Sequence, residues 1–87
     1  MKKIIIDGAK VTSKDGLYLF LAKRLNFTPS YITNLDALYD ALTERKNVEF
    51  GMKNGEILRE KFGEFYEILL SVFEDSGVKF EIENSTK

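Results

Sequence analysis

The sequence predicts an α/β fold, a three-stranded parallel sheet packed with three to four helices. Three observations carry that expectation. Segments Lys2–Asp7, Val48–Lys53 and 78–82 have strand character, and stretches of helical periodicity separate them. Strands joined through helices pair in parallel by right-handed crossovers. The chain has 87 residues and is 44% apolar, with seven Phe and four Tyr, which suits one domain (1–87) with one core.

The elements follow in order. Ile4, Ile5 and Ile6 are consecutive β-branched residues, as in a strand covered on both faces. Gly8 turns the chain out of it. Ser13 or Asp15 is expected to cap the first helix. There Leu17, Leu21 and Leu25 recur every four residues, with Phe20 and Arg24 flanking, and the helix ends near Asn26. The connector 26–33 holds Pro29, the only proline, yet it also carries Phe27, Tyr31 and Ile32. Some of these must pack inward; either Tyr31 or Ile32 is then available to a partner.

Asn34 is a good N-cap for a second helix, because its side-chain oxygen can accept from a free amide of the first turn. Leu35, Leu38 and Leu42 form its core stripe. A polar exit, 44–47, leads to the alternation Val48, Phe50, Met52, which Gly51 weakens as a strand. Asn54 and Gly55 signal a turn, and 56–62 is a short helix using Ile57, Leu58 and Phe62. Gly63 breaks it. Glu64–Ser76 is the clearest helix, with Phe65, Ile68, Leu69, Val72 and Phe73 at 3.6-residue spacing and Gly77 as its stop. Segment 78–82 alternates apolar and charged like an edge strand, and 83–87 reads as a frayed polar tail.

Composition removes several chemistries. There is no Cys, so disulfides, thiol catalysis and Cys-ligated zinc are excluded. There is no His, which excludes His-based triads and His–metal sites. No GxxxxGK[ST] or GxGxxG is present to cradle a phosphate. Net charge is −1 and the Lys and Arg residues are scattered, Lys2-Lys3 and Arg45-Lys46 being pairs rather than patches, so direct nucleic-acid binding is not expected. The N-terminal apolar run is three residues long and ends at Asp7-Gly8, too short for a signal peptide, and no segment approaches membrane-spanning length. The expected location is the cytoplasm. No cofactor or metal is expected, and the chain reads as a non-enzyme.

The second helix carries the unusual feature. At about 100° per residue, Asp36, Tyr39, Asp40 and Thr43 share a second arc away from the leucine stripe. Like charges at i and i+4 cost about a few tenths of a kcal/mol on a helix. An aromatic sits beside them, and no cation follows until Arg45. One reading is an ordinary solvated face: Asp36 suits the helix dipole and Tyr39 borders the core. The other is an acidic, aromatic-centred patch that fits a positively charged site on another molecule. A glycosidase-like pair or a Ca²⁺ or Mg²⁺ site at Asp36 and Asp40 is disfavoured, because the two lie on one convex face without calcium-loop spacing.

The run Asn34, Leu35, Asp36, Ala37, Leu38, Tyr39, Asp40, Ala41, Leu42, Thr43 resembles the signature helix of the barstar family, intracellular inhibitors of small secreted bacterial ribonucleases. The family pattern is Asn-Leu-Asp-Ala-Leu, an aromatic, Asp, a small residue, Leu and Thr, and all ten positions are filled. Tyr39 stands where the best-known member has Trp. The opening strand, first helix, connector, last long helix and closing strand also have counterparts.

The resemblance implies a stoichiometric inhibitor, an immunity protein monomeric alone and 1:1 with a small basic secreted ribonuclease, that occludes the enzyme's active site with this helix and the preceding loop. It implies that Asp40 occupies the place of a substrate phosphate, that Asp36 and Tyr39 flank it, that Asn34 and Thr43 line the rim, and that Asp75 is an acidic contact on the last long helix. The prototype's Tyr-Tyr-Gly run corresponds to Ser30, Tyr31 and Ile32, so the first Tyr is lost, or is replaced by Tyr31 if the loop is shifted by one, and the Gly becomes Ile32; Pro29 is one position displaced, and the last helix-to-strand connection is shorter. Bottom-up reasoning points the same way: an RNA-cleaving site is lined with cations, and a blocker needs matching anions and an aromatic. The alternative is a module of the same fold that binds another basic protein or a toxin domain that is not a ribonuclease.

Overall fold

The computed structural model describes residues 2–45 and 47–83. The chain runs β1 (Lys2–Asp7), α1 (Lys14–Arg24), α2 (Leu35–Glu44), β2 (Val48–Lys53), α3 (Gly55–Phe62), α4 (Glu64–Ser76) and β3 (Lys79–Ile82). The strands form one sheet in the order β1-β2-β3, both pairs parallel.

Strand register sorts the side chains. Ile4 lies beside Phe50 and Phe50 beside Phe80; Ile6 lies beside Met52 and Met52 beside Ile82. These alternate positions share one face. Ile4, Ile6, Phe50 and Met52 are fully buried there, and α4 lies against them through Phe73, whose ring is 4.9 Å from that of Phe50 and 4.8 Å from that of Phe80. The opposite face carries Lys3, Glu49 and Lys79 in one row and Ile5, Gly51 and Glu81 in the next. Lys3 pairs with Glu81 at 3.2 Å and Glu83 at 3.8 Å, and Lys79 with Glu49 at 3.7 Å. The expectation of a first strand covered on both faces is therefore corrected. Ile5 is only half-buried. Its partial shelter comes from Gly51, where an added Cβ would approach Ile5 Cδ1 at 2.9 Å. The glycine that weakened the second strand as a prediction leaves room for a neighbouring side chain.

Ser13, not Asp15, caps α1, its Oγ accepting from the Gly16 amide at 3.0 Å. Leu17, Leu21 and Leu25 are buried as the spacing predicts. Asn54 adopts left-handed backbone, and α3 begins at the next residue, Gly55, rather than after a turn. The Asn54 side chain donates to Asp7 Oδ1 at 2.8 Å, and that oxygen also accepts from the Ala9 amide at 3.0 Å. The end of β1 and the start of α3 are tied by one carboxylate. These two donors hold the Asp7 carboxyl below its ordinary pKa, the Asn54 bond first.

Along α4, Phe65, Tyr66, Leu69, Phe73 and Ser76 are buried, while Ile68 is 45% exposed. The buried arc is centred on Leu69, and Ile68 sits about 100° away from it, so its assignment to the core face is corrected. The Ser76 hydroxyl donates to the Phe73 carbonyl at 2.8 Å, satisfying it inside the core. Gly77 ends α4 at φ 86°, a left-handed conformation that costs glycine little. β3 begins at Lys79, one residue later than predicted, with Val78 buried ahead of it. Glu83, assigned to the tail, extends the ladder by donating its amide to the Met52 carbonyl at 2.8 Å; the rest of that tail, 84–87, lies outside the described residues. Among the described residues, no helix is long and apolar enough to cross a membrane.

Candidate functional site: the outer face of the second helix

The Asn34 side-chain oxygen accepts from the Ala37 amide at 2.8 Å and starts α2. Leu38, Ala41 and Leu42 are fully buried, and Leu35 packs partly against the core. α2 rests on α4. With that side anchored, the remaining arc must point outward. Asp36 and Asp40 are exposed, and Tyr39 is 39% exposed. Thr43 is half-buried and donates back to the Asp40 carbonyl at 2.8 Å.

Among the described residues, no cation lies within ion-pair distance of Asp36, Asp40 or Asp75; the pairs present involve Lys3, Lys79 and Arg59. Asp75 is exposed in the last turn of α4, the helix beneath α2, and no hydrogen bond joins it to the α2 residues. The face is convex. A groove lined by Ile5, Leu17, Phe20 and Arg24 lies between β1 and α1, and none of its lining residues belongs to α2. Among the described residues, no group of three or more acidic side chains is arranged to hold a metal ion.

The connector separates the two residues left open by the sequence. Ile32 is 2% exposed and belongs to the core, whereas Tyr31 is 40% exposed. Ile32 is therefore corrected as a contact candidate: its side chain packs inward and anchors the loop. The Tyr31 hydroxyl donates to Glu44 Oε2 at 3.4 Å, and its ring stacks on Phe27 at 4.2 Å. Loss of water around that hydroxyl, then the Glu44 carboxylate, pushes the Tyr31 phenol above its ordinary pKa; Asp40 adds to the effect and Arg45 opposes it.

Glu44 was assigned to a polar exit, but it closes α2 and is exposed. Its spacing could have revealed it, since Asp36, Asp40 and Glu44 recur every four residues. Phe27, named only as a connector aromatic, and Arg45 were not assigned to the site, because only folding stacks Tyr31 on Phe27 and brings Arg45 over the Phe27 ring. The candidate site is the outer face of α2, with three exposed carboxylates and one tyrosine on the helix and another tyrosine beside it on the connector.

The family model described as "Barstar (barnase inhibitor)" matches residues 1–85 of the chain. A protein of Bacillus subtilis (strain 168) named "Putative ribonuclease inhibitor YrdF" is 33% identical over 78 residues, covering 87% of this chain and 86% of that protein.

Proposed function

The chain belongs to the barstar family, and from that premise we propose that it is a stoichiometric inhibitor of a small basic secreted ribonuclease, and not itself an enzyme. The mechanism is occlusion. Asp40 takes the place of a substrate phosphate against the enzyme's cations, Asp36 and Asp75 extend the acidic surface, and Asn34 and Thr43 form the rim. Tyr39 and Tyr31 fill the cleft. Glu44, in line with Asp36 and Asp40, joins the acidic ridge. The protein acts in the cytoplasm of the cell that makes it, as a monomer that forms a 1:1 complex.

One observation carries this reading: an exposed acidic, aromatic face on which, among the described residues, no cation lies within ion-pair distance of Asp36 or Asp40, held on a helix whose opposite side is fixed in the core. Such a face is preorganised, so little conformational freedom is lost on docking. Unpaired surface carboxylates also steer association with a basic partner, and salt weakens that attraction.

The test is titration of the protein into barnase and other small secreted bacterial ribonucleases, following RNA cleavage at low and high salt. Stoichiometric inhibition that weakens with salt and collapses in Asp40→Ala is the expected result. Full activity of every enzyme in the presence of excess protein refutes ribonuclease inhibition and favours a different basic partner for the same face.

A further inference from the structure

Tyr31 is a surface side chain on an irregular connector, yet its position is specified from two sides. Its ring lies parallel to Phe27, 4.2 Å away with 4° between planes. The Arg45 guanidinium lies over the Phe27 ring, 4.3 Å from the centroid. Since Tyr31 covers one face of Phe27, the guanidinium must take the other. The three groups form a stack in the order Arg45, Phe27, Tyr31, and Tyr31, at its outer end, remains 40% exposed.

The ends of the stack are tied to the backbone on both sides. Arg45 Nε donates to the Leu25 carbonyl at 3.2 Å, joining the residue after α2 to the start of the connector. The Phe27 amide donates to the Ala22 carbonyl at 2.9 Å, and the Tyr31 amide to the Thr28 carbonyl at 3.0 Å. Ile32 anchors the next position in the core. A guanidinium suits this role better than an ammonium would, because it is planar and can stack while its N–H groups bond in the plane.

We propose that Phe27 and Arg45 are positioning residues that fix the exposed Tyr31 ring before a partner arrives. This rests on the reading of Tyr31 as part of the docking surface. Neither residue has to touch the partner. Immobilising a side chain in advance removes an ordering cost that would otherwise be met on binding, so losing the stack should weaken binding about three- to tenfold.

The first arm of the test needs no partner. Stacking displaces the Tyr31 ring-proton resonances upfield, and NMR of the free protein should show that displacement shrinking in Arg45→Ala and only partly restored in Arg45→Lys, with the fold intact by circular dichroism. Unchanged Tyr31 resonances in Arg45→Ala overturn the proposal. The second arm is a double-mutant cycle against barnase. Arg45→Ala should weaken inhibition in the native background and have no effect in Tyr31→Ala. An equal effect in both backgrounds would mean that Arg45 acts by itself, and it overturns the positioning role. If the native chain does not inhibit, or Asp40→Ala inhibits as well as native, the docking reading fails, and the ring resonances still decide the stack.

Discussion

The substitution Asp40→Ala should raise the stability of the free protein while destroying its proposed activity. The Asp40 carboxylate is exposed, and among the described residues it makes no hydrogen bond or ion pair. Asp36 and Glu44 lie four residues to either side on the same helix face. Each such like-charge pair destabilises a helix by about 0.2–0.5 kcal/mol. Alanine also has the better helix propensity, by about half a kcal/mol. The hydrogen bond from Thr43 goes to the Asp40 carbonyl and survives the change. The substitution should therefore stabilise by about 1 kcal/mol, or roughly 5 °C in Tm for a domain of this size.

Salt separates the two contributions. At about 1 M salt the screening length falls to roughly 3 Å, so the repulsive part of the gain should vanish and the propensity part remain. Urea unfolding of both proteins at low and high salt measures this. A destabilised Asp40→Ala, or a gain independent of salt, refutes the account of Asp40 as a carboxylate the free fold does not use. On binding the sign reverses. Removing one member of a buried charge pair costs about 2–5 kcal/mol in general, a range that rests partly on the barstar family's own prototype complex rather than on this structure.

Asn34→Ala should cost about 1 kcal/mol through loss of the cap bond to Ala37, whereas Asn34→Ser should keep that stability; weaker inhibition by the serine variant would then report the rim contact alone. Ile32→Ala should lower stability by about 2–5 kcal/mol in urea unfolding, and a change below about half a kcal/mol would contradict its place in the core. Asp7 makes a prediction about acid. Its folded pKa lies below the unfolded value of 3.8, so the unfolded state binds more protons as the pH falls. The stability it contributes is complete above that value and is lost as the pH drops through the folded pKa. Asp7→Asn should flatten the decline of the urea midpoint below about pH 4, and an unchanged slope would count against the tie to Asn54 and Ala9.

Spacing alone determined much of this protein. The recurrence of Leu35, Leu38 and Leu42 and of Asp36, Tyr39, Asp40 and Thr43 assigns two faces to α2 whatever surrounds it, because helical geometry is local. Parallel pairing was legible for a similar reason, since helical connections between strands leave few topologies open; the order β1-β2-β3 came only with the structure. Tertiary structure decided the questions between near-equals. Tyr31 and Ile32 are adjacent and both apolar, and only packing sends one into the core and leaves the other out. Ile5 and Ile6 point to opposite faces by strand alternation, and the assembled sheet leaves one half-buried on the face of the charged pairs and closes the other into the core. Ile68 missed the core because the buried arc of α4 follows its contacts with α2 and the sheet rather than its own most apolar line. Arg45 reaches Leu25 and Phe27 across about twenty residues of chain, a distance over which no local rule operates. A periodic pattern specifies direction around an element, but which neighbour fills that direction depends on where the other elements come to rest.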